Sequence, residues 1–171
     1  MNPISNVTQE VIFISNGAGP RVGIAGGMYQ TIISGAQTGG SYAMIHMQVP
    51  PGGGPAPHAH PQMQESFYVL EGTVEFITEK GSQLAQKGDF IQIPLNGPVH
   101  CFKNKGNENA RLLCTVLPAG LEAFFEQAGQ PLIDGEPSPA PQMDEAAQQR
   151  IAALAKQYGQ VLYPPDYFSK R

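Results

Sequence analysis

The chain has 171 residues, a formal charge of −4 at pH 7 and 41% apolar residues, enough for one domain with a sizeable core. Its ten Lys and Arg are scattered and outnumbered by fourteen Asp and Glu, which excludes nucleic acid as a partner, since phosphate backbones demand clustered cations. No apolar run reaches 18 residues, so no membrane-spanning helix is expected.

Residues 9–16 form the first β-prone run and meet a turn at Gly17-Ala18-Gly19. The stretch Met1–Asn6 before it has neither the positive nor the apolar region of a secretory signal. With just two cysteines, Cys101 and Cys114, the expected location is cytoplasmic, with reduced thiols. Residues 28–34 make a second strand between Gly26-Gly27 and Gly35. Residues 41–49 alternate: Ala43, Ile45, Met47 and Val49 share one face, Tyr42, Met44, His46 and Gln48 the other. The apolar face is expected in the core. That leaves His46 toward solvent or a second, wetter cavity, and more a structural residue than a ligand.

A Gly/Pro loop over 50–57 leads to strands at 66–70 and 73–78, which read as a tight hairpin through Glu71-Gly72. Strands at 82–86, 90–93, 99–103 and 110–117 follow, and Cys101 and Cys114 fall on what should be neighbouring strands. Nine or ten short strands, with Gly and Pro making about a fifth of the chain, predict an all-β antiparallel sandwich or barrel. The period changes after Pro118. Leu121, Phe124, Phe125 and Ala128 recur at helical spacing within 119–128, closed by Gly129. A proline-rich linker over 131–142 precedes a second helix at 144–157, with Met143, Ala147, Ile151, Leu154 and Tyr158 as its apolar stripe. The expected organisation is a barrel over 1–118 and C-terminal α-helices over 119–171 packed on it within the same domain.

The chemistry concentrates in residues 52–72. His58, His60 and Glu65 fall within eight residues, just ahead of the β-prone run Phe67-Tyr68-Val69-Leu70. In an extended segment positions i and i+2 share a face, so His58 and His60 present two imidazoles side by side. The step to Glu65 breaks that alternation and requires a turn or bulge at Pro61–Gln64, which Pro61 favours. A loop carrying two surface histidines is the competing reading. His100, on a later strand, supplies a fourth candidate. Three imidazoles and a carboxylate suit a divalent first-row metal with open coordination positions. A closed structural zinc site would carry clustered cysteines, and these two lack that spacing.

The spacings resemble the two signature motifs of the cupins. Gly52, five residues, His58-x-His60, four residues, Glu65, six residues and Gly72 match the first position by position. Gly88, five residues, Pro94, then Gly97, two residues, His100, three residues and Asn104 match the second. The departure is Leu95-Asn96, two residues where the family has one, which alters the loop before His100 and leaves the ligand in place. The resemblance implies a small antiparallel β-barrel, or jelly roll, of two facing sheets. Inside it His58, His60, Glu65 and His100 would hold one divalent metal ion (Ni, Mn, Fe, Co, Cu or Zn). Asn104 reads as a turn residue.

Residues 120–129, the proline-rich spacer and 155–165 resemble the C-terminal region of quercetinase-like single-barrel cupins. That narrower resemblance implies a metal-dependent dioxygenase cleaving a flavonol or other phenolic substrate. A small aromatic substrate and O2 would be its partners, the metal a Lewis acid and Glu65 the general base. It also implies pairing into a homodimer through the barrel sheets, with the 9–16 strand as an exposed edge. Phe67 and Phe102, two residues from Glu65 and His100, either line the same cavity or belong to the core. The fold hosts other activities. The alternatives are a non-catalytic small-molecule or metal-binding cupin, and another metal-cupin enzyme such as a different ring-cleaving dioxygenase or a sugar isomerase. An aromatic substrate calls for a roomy apolar cavity at the metal; a sugar phosphate calls for Lys and Arg in its wall, and none occurs between Arg21 and Lys80.

Overall fold

The computed structural model describes residues 10–24, 26–130, 132 and 144–170. In chain order the elements are β1 (Arg21–Ile24), β2 (Gly27–Ile33), α1 (Gly35–Thr38), β3 (Ala43–Val49), β4 (His58–Ala59), β5 (Gln64–Glu71), β6 (Thr73–Thr78), β7 (Gly81–Gln86), β8 (Phe90–Ile93), β9 (His100–Asn104), β10 (Ala110–Leu117), α2 (Leu121–Ala128), α3 (Glu145–Gln157) and β11 (Val161–Leu162). The strands form two antiparallel sheets, ordered β1-β2-β3-β10-β5-β8 and β11-β4-β9-β6-β7.

The core lies between the inner faces of the two sheets. Along β3 and β10 every second side chain is buried, and the register from Val49↔Ala110 to Ala43↔Val116 sets the two inward rows side by side. The apolar face expected of residues 41–49 is thus the core face. Phe67 of β5, Phe76 of β6 and Phe102 of β9 bring three rings together, with centroids 5.2–5.5 Å apart. Such tilted and edge-on pairs add roughly 0.5–1.5 kcal/mol each beyond the area they bury.

Three local expectations are corrected. β5 and β6 are consecutive but do not pair: β5 lies between β10 and β8, β6 between β9 and β7. Gly72, at φ +76°, turns the chain from one sheet to the other, and a Cβ there would stand 2.9 Å from the Ala110 Cα. The same glycine chemistry serves a hairpin or a corner packed on β10, and only the long-range pairing decides. Residues 10–16 form no strand, and Gln9 lies outside the described residues. Gly17 and Gly19 at positive φ, followed by Pro20, turn this segment out of any ladder. Side chains hold the turn that follows it: Arg21 donates to the Gly17 carbonyl at 2.7 Å, and the Gln30 amide donates to the Ala18 carbonyl. The edges of the six-stranded sheet are therefore β1 and β8. Cys101 and Cys114 are free thiols on β9 and β10, which belong to opposite sheets rather than neighbouring strands.

The α2 stripe packs as expected, whereas in α3 the fully buried residue is Ala155, off the expected stripe, and Ala147, Ile151, Leu154 and Tyr158 are half-buried. Leu121 and Phe124 are buried, and α2 lies against β1, β3 and α3. α3 starts at an N-cap, Asp144, whose carboxylate accepts the Ala147 N–H at 2.8 Å. Met143 and, apart from Leu132, the linker over 131–142 lie outside the described residues. No helix among the described residues is long and apolar enough to cross a membrane.

Candidate metal centre

Three strands bring the four motif residues together. His58 on β4 pairs with His100 on β9. The turn at Pro61-Gln62 then carries the chain past His60 into β5 of the other sheet, from which Glu65 faces the histidines. One ligand atom from each residue lies within 4.8 Å of the others, and all four residues are buried. The competing reading of two surface histidines is gone.

The imidazoles are oriented from behind. Nδ1 of His58 lies 2.8 Å from the Ala56 carbonyl, and Nδ1 of His100 lies 3.0 Å from the Pro98 carbonyl. A carbonyl only accepts, so each Nδ1 donates and each Nε2 keeps its lone pair, the form in which histidine binds metals. Nε2 of His100 is 3.3 Å from Glu65 Oε2, and Nε2 of His60 is 3.5 Å from the same oxygen. With a proton on Nδ1, the His100 and Glu65 atoms meet lone pair to lone pair unless a second proton or a shared cation lies between them. His60 has no hydrogen-bond partner at either ring nitrogen. A buried group left unpaired costs roughly 1–3 kcal/mol, and the cluster is compatible with a cation that would engage such a nitrogen.

Charge follows the same logic. Burial, then the neighbouring His100, lowers the His58 pKa to about 4, so this imidazole is neutral at pH 7. Burial pushes the Glu65 carboxyl up, but its contacts with His100 and His60 outweigh burial and hold it well below the usual carboxylate range. The Cys114 thiol donates to Glu65 Oε1 at 3.2 Å. Burial and the Glu65 charge push that thiol well up, so it stays protonated and keeps donating. Oε1 is thereby tied back while Oε2 faces the histidines. Sequence reasoning missed Cys114 as a neighbour of the site. Its signal was the alternation of residues 110–117, which puts Cys114 on the inward face of β10.

A cavity of about 180 Å³ lies against His58, His60 and Glu65. Tyr29, Met47, Phe67 and Phe102 are among its wall residues, and among the described residues no Lys or Arg lines it. Phe67 and Phe102 are both core and cavity wall. His46 stays apart: it lines an open groove with Arg21 and Arg111, and accepts from Arg111 Nε at 3.1 Å. Asn104 is a buried structural anchor, donating to the Val49 and Glu108 carbonyls at 2.8 Å each and accepting the Gly106 N–H at 2.8 Å.

The cupin domain family matches residues 45–116, the stretch that holds all four cluster residues, and the two antiparallel sheets have the jelly-roll arrangement of that fold. Over 118 residues the chain is 25% identical to quercetin 2,3-dioxygenase of Bacillus subtilis. That match covers 69% of this chain and 34% of the relative, so the chain spans about a third of the relative's length. A sugar phosphate isomerase of the cupin superfamily from Silicibacter pomeroyi superposes with a TM-score of 0.56 at 18% identity, covering 64% of this chain and 77% of that one. A predicted oxalate decarboxylase from Thermotoga maritima gives 0.56 at 21% identity, over 63% of this chain and 99% of that one. At such identities the solved structures share the fold alone, and their named activities differ.

Proposed function

We propose that the chain is a metal-dependent dioxygenase acting on a phenolic substrate of the flavonol type or related to it. The observation that carries this reading is the apolar, aromatic-walled cavity set directly against His58, His60, Glu65 and the adjoining His100. The likeness to a quercetin 2,3-dioxygenase supports it. A divalent first-row metal held by these four residues would supply Lewis acidity toward a phenolate oxygen and a position for O2. His58 and His100 offer Nε2 because the Ala56 and Pro98 carbonyls hold their Nδ1 protons. Glu65 takes the proton of the substrate hydroxyl at Oε2, while Cys114 keeps its hold on Oε1. Phe67 and Phe102 keep water from the reacting ring.

A sugar-phosphate reaction is disfavoured, because among the described residues the wall has no cation to pair with a phosphate. The test is O2 uptake with a panel of phenols and flavonols after loading Ni, Mn, Co or Fe. Uptake that tracks phenol loss, and falls by about 100-fold or more in Glu65→Gln, is expected. No uptake with any pairing, or unchanged turnover in Glu65→Gln, refutes the reading. Phenol binding without uptake would make the chain a binding cupin.

A further inference from the structure

Part of the cavity wall comes from outside the barrel. Leu121, Phe124 and Phe125 from α2, Ile151 from α3, and Gln160 and Leu162 beside and within β11 all line it. This wall is fastened at several points. The buried Glu122 carboxylate accepts the N–H groups of Gly120 at 2.7 Å and Gly35 at 2.8 Å, which pins the start of α2. Past its end, Gln130 and Gly23 exchange two backbone hydrogen bonds of 2.8 and 3.0 Å. The Phe125 ring stands edge-on to Tyr29 at 5.0 Å. β11 pairs with β4 through Leu162↔His58, and the Tyr163 N–H donates to the Pro57 carbonyl at 2.9 Å. The C-terminal segment is thus strapped to the strand that carries His58.

A wall held this way makes the cavity volume a selection rule. The 180 Å³ available is close to the roughly 150 Å³ that accommodates benzene in an apolar cavity. It falls well short of the roughly 300–1,000 Å³ of sites that take drug-sized molecules. Apart from the metal-centre residues, Tyr29 and Gln160 are the wall's polar side chains among the described residues.

We infer that the C-terminal segment sets substrate size, and that the site takes a single-ring phenol with its ionisable hydroxyl at the metal centre in preference to a three-ring flavonol. This rests on the dioxygenase reading and narrows its substrate class. Phe125, Ile151 and Leu162 are the specificity-determining positions: all three are less than fully buried, so truncating them enlarges the cavity at little risk to the fold.

Zinc-loaded protein, inert to O2, separates binding from turnover. Calorimetric titration compares catechol and 4-methylcatechol with quercetin and 3-hydroxyflavone. The catechols should bind, and the flavonols should bind about 100-fold more weakly. In Phe125→Ala/Ile151→Ala that gap should shrink by about tenfold, and Leu162→Ala should move it the same way. Circular dichroism establishes that each variant is folded, and the unaltered protein alone already decides the ranking. Flavonols binding it as tightly as catechols, or no phenol of either size binding, overturns the inference. Failure of the dioxygenase reading is distinct: catechols bind in the expected order, yet no O2 is consumed after loading Fe, Mn, Co or Ni.

Discussion

Replacing His60 by leucine should stabilise the metal-free protein while abolishing metal uptake. His60 is 1% exposed and neither ring nitrogen has a hydrogen-bond partner. Unpaired buried groups cost roughly 1–3 kcal/mol each, and leucine keeps the space filled without them. Against that gain stands the loss of the 3.5 Å contact between His60 Nε2 and Glu65 Oε2, which supports a buried carboxylate. Setting roughly 1 kcal/mol for that contact against roughly 2–6 kcal/mol for the two orphaned nitrogens leaves a net gain of about 1–5 kcal/mol. For a chain of this length that raises Tm by about 2–20 °C. The assay is thermal unfolding of chelator-stripped protein at pH 7, repeated with added metal. Metal at a hundred times its Kd should add about 2.7 kcal/mol to the unaltered protein and far less to the variant. If stripped His60→Leu is instead the less stable protein, the imidazole has a structural partner and the cluster is not held open for a cation.

Cys114→Ala frees Glu65 Oε1, so metal affinity should fall about 10–100-fold and the visible spectrum of cobalt-loaded protein should change. Cys114→Ser, which keeps a donor, should retain the original spectrum; equal effects of both substitutions would count against positioning by the thiol. Acidification should destabilise the metal-free protein between pH 6.5 and about 4, the interval between the ordinary and the folded pKa of His58. There the unfolded imidazole binds a proton that the buried one refuses, so stability rises with pH and is lost as pH falls, by about 3 kcal/mol over the interval. Glu65, lowered in the folded state, adds loss in the same direction once pH drops below its ordinary 4.5. Urea unfolding across this range measures the slope, which should flatten in His58→Leu; an unchanged slope would remove His58 from the account.

The sequence carried the site more fully than it carried the path of the chain around it. The four cluster residues were legible because alternation sets His58 beside His60 and because the spacings to Glu65 and His100 resemble the cupin motifs; all four end within 4.8 Å of one another. The strand over 41–49 was legible for the same reason. Gly72 was not, since a glycine at positive φ serves a hairpin or a sheet-switching corner equally well. The β-prone run over 9–16 failed because a strand needs a neighbouring edge, and local propensity cannot supply one. β1 and β11 are too short, at four and two residues, to display alternation. The helical spacing of Phe124 and Phe125 announced a packing face, but not that this face would wall the cavity of a metal centre far earlier in the chain.

Metal analysis tests the central claim most directly, that His58, His60, Glu65 and His100 together hold one divalent ion. The measurement is elemental analysis of protein purified without added metal, and again after loading and desalting, beside His58→Ala/His100→Ala treated identically. One equivalent of a first-row divalent metal per chain is expected in the unaltered protein, and no more than a trace in the folded variant. No metal retained by the unaltered protein under any loading, or a full equivalent retained by the variant, would contradict it.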